Sequence, residues 1–284
     1  MAIFDCFQYF NEDHIADLRF NILDKFVDKF VIVESTVNHQ GKPKKLHFDI
    51  DRYKKFKNKI NYIVVDDTPE NIKKPHEGGE SLVEQHQRNS IMKGLKNAND
   101  NDLIILSDVD EIPDLNKLNE YDKNKYAVFS QRMFMYKLNF LNLKENDWHG
   151  SKICLKKNFK SPQWLRNIKG KKYPRWRLDT LFSQKKYSNL LFVKDGGWHF
   201  TCLRSPEELE KKLLNFAHHY EYQKSGLNIV DIKKFMQEKR VVYDHNVDQK
   251  GYKWSGKSVL EKIDHNHLPA HIKENLDKYK NWLD

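Results

Sequence analysis

The chain has 284 residues, of which 39% are hydrophobic and 13% aromatic, enough for one large domain or one domain with a modest appendage. Charged residues reach 32% and the formal net charge is +10, but 17 Phe, 13 Tyr and 6 Trp exclude a disordered chain. No apolar run is long enough to span a bilayer and no basic-then-apolar leader opens the sequence, while three scattered cysteines (Cys6, Cys154, Cys202) suit a reducing cytoplasm better than a disulfide scaffold.

Ile3 to Phe10 is apolar and aromatic and reads as a strand. Asn11 is placed to cap a helix running from Glu12, with Ile15, Leu18, Ile22 and Leu23 on one face. The β-branched run inside Lys29 to Glu34 predicts a strand buried on both faces. A short helix over Asp51 to Lys57 and a second buried strand over Ile60 to Val65 follow. Gly78 and Gly79 introduce a long helical stretch to about Asn97, with Leu82, Ile91 and Leu95 as its apolar positions; Leu103 to Leu106 is a fourth buried strand. This alternation implies an α/β fold with a mainly parallel, doubly wound sheet, in which ligands bind beyond the carboxyl ends of the strands. Glu34-Ser35, Asp66-Asp67 and Ser107 to Glu111 all fall at that edge.

From Tyr126 to Phe200 the pattern is aromatic and strand-like (Ala127 to Phe129, Leu190 to Val193), predicting mixed or antiparallel strands with long loops. Beyond Pro206 the chain turns helical, over Glu207 to Tyr222, Ile229 to Lys239 and Pro269 to Trp282. Between Lys144 and Lys186 the only acidic residues are Glu145, Asp147 and Asp179. So basic a stretch can attract a nucleotide diphosphate, an anionic glycan, a membrane surface or nucleic acid, or simply form a solvated lysine-rich face.

Asp108-Val109-Asp110 is the sharpest chemical feature. Alternate residues of a strand point the same way, so both carboxylates can address one cation while Val109 packs back. Mg²⁺ and Mn²⁺ prefer carboxylate oxygens and keep positions open for substrate phosphates. Pro113 then ends the strand and Asp114 can cap a helix. An isolated Asp-x-Asp is equally a polar loop or a cap; its place directly behind Leu-Ile-Ile-Leu-Ser is what gives it weight.

Asp5-Cys6-Phe7, Phe10-Asn11-Glu12, Leu18-Arg19 and Val27 to Ser35 resemble the opening of glycosyltransferase family 17. Gly41 to Lys44, Arg88-Asn89, Ser107 to Pro113 and Gly197-Trp198-His199 extend the match, which runs from about Asp5 to Phe216. The resemblance implies a GT-A type (Rossmann-like) fold, a UDP-sugar donor with UDP-GlcNAc first, a divalent cation such as Mn²⁺ (or Mg²⁺), and inverting transfer to a glycan hydroxyl. With the turn to helical pattern after Pro206, the expected domains are a catalytic domain over 1–205, with donor and metal site in 1–113 and an acceptor side in 114–205, and a helical extension over 206–284. Animal members carry a membrane anchor and stem; this sequence opens directly on the catalytic domain, so a microbial or viral cytoplasmic glycan, anionic or neutral, is the expected acceptor.

Roles follow residue by residue. Asp108, Asp110 and His199 are the expected metal ligands, His199 as the late-sequence imidazole of such sites. Glu34, Arg88, Asn89, Asp108 and Trp198 are the expected nucleotide-sugar contacts, Arg88 through its planar fork on the diphosphate. The glycines of Gly196-Gly197-Trp198-His199 would let backbone approach that diphosphate. Structural readings compete at each: a hydrogen-bonded core histidine for His199, a cap or ion pair for Glu34, and pairing with Glu84 for Arg88. Inversion needs a general base, for which Glu111 and Asp195 are the candidates, with Asp179 in reserve. Of Trp148, Trp164, Trp176 and Trp198, only Trp198 rises above a core role, by its position. Arg175-Trp176-Arg177 is either an anion contact or an exposed basic turn.

The rivals are another metal-dependent enzyme of nucleotide substrates, such as a nucleotidyltransferase, and a basic nucleic-acid-binding protein. The first lacks its glycine-rich phosphate loop here; the second would not need paired carboxylates at a strand end, and no nucleic acid is expected as partner. The histidines show no His-Glu-x-x-His arrangement, which argues against a zinc hydrolase.

Overall fold

The computed structural model describes residues 1–73, 81–123, 126–174, 176–215, 219–244 and 253–284; Gly78, Gly79, Arg175 and His218 lie outside these. Strands β1 (Ile3–Gln8), β2 (Lys29–Ser35), β3 (Ile60–Val65) and β4 (Leu103–Asp108) form a parallel set in the order β3-β2-β1-β4. Helix α1 (Asp13–Leu23) and α2 (Leu82–Asn89) lie in their connections. The short strand β5 (Glu111–Pro113) follows β4 across a two-residue turn, then β6 (Tyr126–Met135), β7 (Phe140–Leu141) and β8 (Trp148–Leu155). β8 runs antiparallel to both β4 and β6, so it joins the two halves of one mixed sheet. Helices α3 (Pro162–Asn167) and α4 (Asp179–Phe182) precede β9 (Leu190–Val193) and β10 (Gly197–Thr201), both parallel to β6. The remainder is α5 (Pro206–Asn215), α6 (His219–Ser225), α7 (Ile229–Gln237), an edge strand β11 (Glu261–Lys262) paired with β7, and α8 (Ala270–Glu274) with α9 (Leu276–Tyr279).

The continuous apolar runs are explained by burial on both faces. Phe30, Ile32, Leu103 and Ile105 join one core cluster with α1, whereas Val31, Val33, Ile104 and Leu106 join the cluster under Ile91, Leu95 and Leu165. Leu268, Ile272 and Tyr279, from the C-terminal segment, belong to the first cluster, and a third gathers β6 and β7 with α5, α6 and α7.

Three local expectations are corrected. Helix α1 is not capped by Asn11: Glu12 is the N-cap residue, and its carboxylate folds back to accept from the N–H groups of Phe10 (3.1 Å) and Asn11 (2.9 Å). The long helix to Asn97 is α2 followed by 3-10 turns over Ser90–Leu95. The change of pitch seats Gly94 against the sheet, where a Cβ would lie 2.4 Å from Val31 Cγ1. The strand that Pro113 ends is not continuous: it breaks at Val109-Asp110, and Glu111 to Pro113 is the separate strand β5, pairing with β10 so that His199 stands opposite Glu111.

Candidate active site

The carboxyl ends of β1 and β4 are neighbours, Gln8 opposite Asp108, and a cavity of about 560 Å³ opens above them. That is within the range of small-molecule sites. Its walls come from the end of β1 (Gln8) and the residues after it (Tyr9, Phe10, Glu12), from α2 (Glu84, Gln87, Arg88), from Asp108 to Glu111, and from Trp148, Arg166, His199 and Lys212. A smaller cavity of about 380 Å³ behind α1, lined by Asp13, Arg52, Lys278 and Trp282 among others, contains none of these acidic strand-end residues.

A buried guanidinium shapes the turn that carries the acids. Arg19 forks onto Asp5 in β1 (Nε to Oδ2 2.7 Å, Nη2 to Oδ1 2.5 Å), both side chains fully buried. Its remaining nitrogen, Nη1, donates to the carbonyls of Asp108 (3.2 Å), Val109 (3.3 Å) and Glu111 (2.7 Å). The Asp-Val-Asp-Glu turn is thus wrapped around one buried cation, to which the Asp108, Val109 and Glu111 carbonyls turn.

Glu111 is fully buried and saturated. Its oxygens accept from Trp148 Nε1 (2.8 Å), Arg166 Nη1 (2.8 and 3.1 Å) and the Asp108 N–H (2.8 Å). Burial would raise its pKa, but the Arg166 and His199 charges, with the hydrogen bonds from Arg166 and the Asp108 N–H, together outweigh burial and hold the carboxyl down to about 2. The other Arg166 nitrogen takes Asp108 Oδ2 at 2.7 Å, and Arg88 Nη2 stands 3.7 Å from Asp108 Oδ1. Desolvation and then the Glu111 charge raise the Asp108 carboxyl, against the pull of Arg166.

Deeper in, His199 Nε2 lies 3.6 Å from Asp110 Oδ1, and the Phe200 N–H donates to the Asp110 carbonyl (2.9 Å). Burial works against both charges, but their attraction and hydrogen bond, with the Lys212 charge for Asp110 and the Glu111 and Asp108 charges for His199, together outweigh it: the Asp110 carboxyl is held well below its usual range and the His199 imidazole is raised. The His199 ring stacks on Trp148 (centroids 5.0 Å, planes 30° apart), and its buried Nδ1 has no hydrogen-bond partner among the described residues.

The structure therefore brings Asp108, Asp110, Glu111, Arg88 and His199 to one cavity, but not as a three-ligand metal cage. Among the described residues no three carboxylate, imidazole or thiol side chains converge as ion ligands. Asp110 and His199 stand side by side, a carboxylate and an imidazole suited to Mn²⁺, while Asp108 is turned to Arg166. The donor pair fits a cation that takes its other ligands from substrate phosphates.

Five expected roles are not met by position. Glu34 is fully buried away from the cavity, its carboxylate accepting from Lys44 Nζ (2.5 Å), the N–H groups of His47 (2.8 Å) and Phe48 (3.0 Å), and Tyr62 Oη (2.9 Å). Asn89 accepts from the Gln163 N–H (3.0 Å) at the start of α3 instead of lining the cavity. Trp198 alternates with His199 along β10 and so faces the opposite side, where its Nε1 donates to the His267 carbonyl (3.4 Å). Asp195 is an exposed turn residue paired with Arg132 (3.0 Å). Gly197 serves the approach of β10 to β5: at φ +134°, its Cβ would sit 2.2 Å from the Ile112 carbonyl oxygen.

Sequence reading missed Arg19, Arg166, Trp148 as a cavity wall, and Lys212. Arg166 and Trp148 carry no local signal, since only the sheet's closure through β8 brings them to Glu111. Arg19 does carry one, a charge in the buried face of an amphipathic helix matched by Asp5 in an apolar strand.

A mostly parallel α/β sheet with acidic residues and arginines converging on a cavity beyond its strand ends defines an enzyme-type ligand site. The sequence model of glycosyltransferase family 17 matches residues 1–284, and the chain belongs to that family. No curated protein sequence matches it. Among the described residues no helix is long and apolar enough to cross a membrane.

Proposed function

We propose that this glycosyltransferase takes a UDP-sugar donor, UDP-GlcNAc first, and transfers the sugar with inversion to a glycan hydroxyl on a GT-A type scaffold. The convergence of Asp110, His199, Arg88 and Arg166 on a single cavity at the strand ends is the observation that carries this reading. Asp110 and His199 would hold a Mn²⁺ or Mg²⁺ ion, which when bound supplies positive charge to the departing diphosphate. Arg88, whose fork is held by Glu84 and Gln163, and Arg166, held by Glu111 and Asp108, bring positive charge to the cavity for phosphate oxygens, and Lys212 adds a third cation from α5. Asp108, about a third exposed at the rim, is the carboxylate best placed for a ribose hydroxyl. The Trp148 ring offers an apolar plane for a base or sugar face. Glu111 serves this site by positioning Arg166 and Asp108; with both oxygens saturated it does not suit the general base, and Asp195, exposed and paired with Arg132, does not suit it either.

Calorimetric titration of UDP-GlcNAc and other nucleotide sugars, with and without Mn²⁺, into wild type and Asp110→Asn tests the reading. Metal-dependent binding of a UDP-sugar that the substitution abolishes is the expected result. A folded wild type that binds no nucleotide sugar with metal present would sink it.

A further inference from the structure

The segment after Arg166 makes an excursion closed at its base, where the Lys169 N–H donates to the Lys185 carbonyl (2.7 Å). Gly170 is tucked against the His149 ring, a Cβ there falling 2.7 Å from Nδ1. At the far side Trp176, Leu178, Leu181 and Phe182 are 80%, 71%, 74% and 89% exposed. Single exposed apolar side chains are ordinary, but four within seven residues are a patch. Their exposure follows from ordered local structure. In the single turn of α4 the N–H of Leu181 donates to the Leu178 carbonyl (3.0 Å), and Thr180 is the residue turned inward.

The same segment is strongly basic, with seven Lys and Arg against one acid over residues 169–186. That acid, Asp179, is already paired with Arg177 (2.6 Å) and Lys186 (2.8 Å). Exposed Lys169, Lys171, Lys172 and Lys185 are left as a cationic collar around an apolar tip.

We propose that this excursion docks the protein on an anionic phospholipid bilayer, its four apolar side chains entering the headgroup boundary and its lysines meeting the lipid charges. An apolar edge with a basic collar is the composition of interfacial segments. A nucleic acid would satisfy the lysines but leave the two leucines uncovered. A second copy of this chain would oppose collar to collar, with a net charge of +10 on each partner. The excursion begins three residues after Arg166, so docking is tied to the helix that lines the cavity. The docking does not depend on the proposed donor.

Co-sedimentation of the full chain with vesicles of phosphatidylcholine alone, and of equal parts phosphatidylcholine and phosphatidylglycerol, tests it. Binding is expected to the anionic vesicles only and to weaken with added salt. The double variant Leu181→Ser/Phe182→Ser is expected to bind at least about tenfold more weakly, with unchanged circular dichroism and unchanged nucleotide-sugar titration. Lys171→Gln/Lys172→Gln should weaken binding in the same way. Absence of binding to anionic vesicles overturns the proposal, and so does binding that the apolar substitutions leave intact. A dimer seen by light scattering that the apolar double variant dissolves also overturns it, by assigning the face to self-association.

Discussion

Glu111 and Arg166 hold each other in a place where neither charge has much water. Removing one partner of a buried pair is costly because the other stays behind uncompensated. Glu111→Gln keeps the shape but leaves Arg166 facing Asp108 alone. Since Arg166 is partly exposed, the cost should be about 2–3 kcal/mol, measured as a lowered urea midpoint at unchanged slope. Arg19 is the companion case, because its fork spans Asp5 and the three carbonyls of the acidic turn. Arg19→Lys keeps the charge but not the fork, so it should cost about 2 kcal/mol and weaken nucleotide-sugar binding, although Arg19 does not line the cavity. Calorimetric titration beside a urea melt separates the two effects. At this scale the sequence was half legible. Asp108, Asp110 and His199 could be marked because their types stand at a strand end or beside glycines. Glu34 misled because a buried acid closing a strand looks alike whether it binds a ligand or fastens a loop.

Among the elements, β8 and α3 are fastened by Lys152, whose ammonium reaches the carbonyls of Arg166 and Ile168. Burial, and then the Arg166 charge, lower its pKa to about 7. The unfolded chain, with this lysine near its ordinary pKa of about 10.4, binds more protons than the folded one from about pH 7 upward, so this group makes stability rise with pH there. Lys152→Met removes that rise. The stability difference between wild type and variant should move toward wild type by up to about 1.4 kcal/mol per unit between about pH 7 and 9, read from urea midpoints at the two ends. β10 gives a steric counterpart. Gly197→Ala demands a Cβ on the Ile112 carbonyl at a positive φ, so β5 and β10 must part. With Asp110 and His199 carried on either side of that junction, metal-dependent binding should fall more than global stability does. Strands β1 to β4 were legible because burial on both faces writes an unbroken apolar run. The 3-10 break after Asn89 was not, since the contact that imposes it, Gly94 against Val31, is long-range.

At the scale of the molecule, residues beyond 205 do not stand apart from the sheet. Lys212 and Leu213 of α5 reach the cavity, Trp282 stacks on His14 (centroids 4.7 Å), and the C-terminal Ile272 is fully buried in the same cluster as Leu18 and Phe20 of α1. A segment that shares its core with the first helix should unfold with it, although the helical pattern of the sequence begins at residue 206. Ile272→Ala removes buried volume from that shared core and should cost about 2–4 kcal/mol. If the core is one unit, the variant shifts a single transition, with far-UV circular dichroism and tryptophan fluorescence moving together. If 206–284 is a separate folding unit, the loss appears as an early transition of part of the helical signal, and α1 melts at its wild-type midpoint. The coincident shift is expected, because the apolar contacts of Ile272 lie in the core that α1 helps to build, so no surface is left on which the extension can detach without exposing both sides.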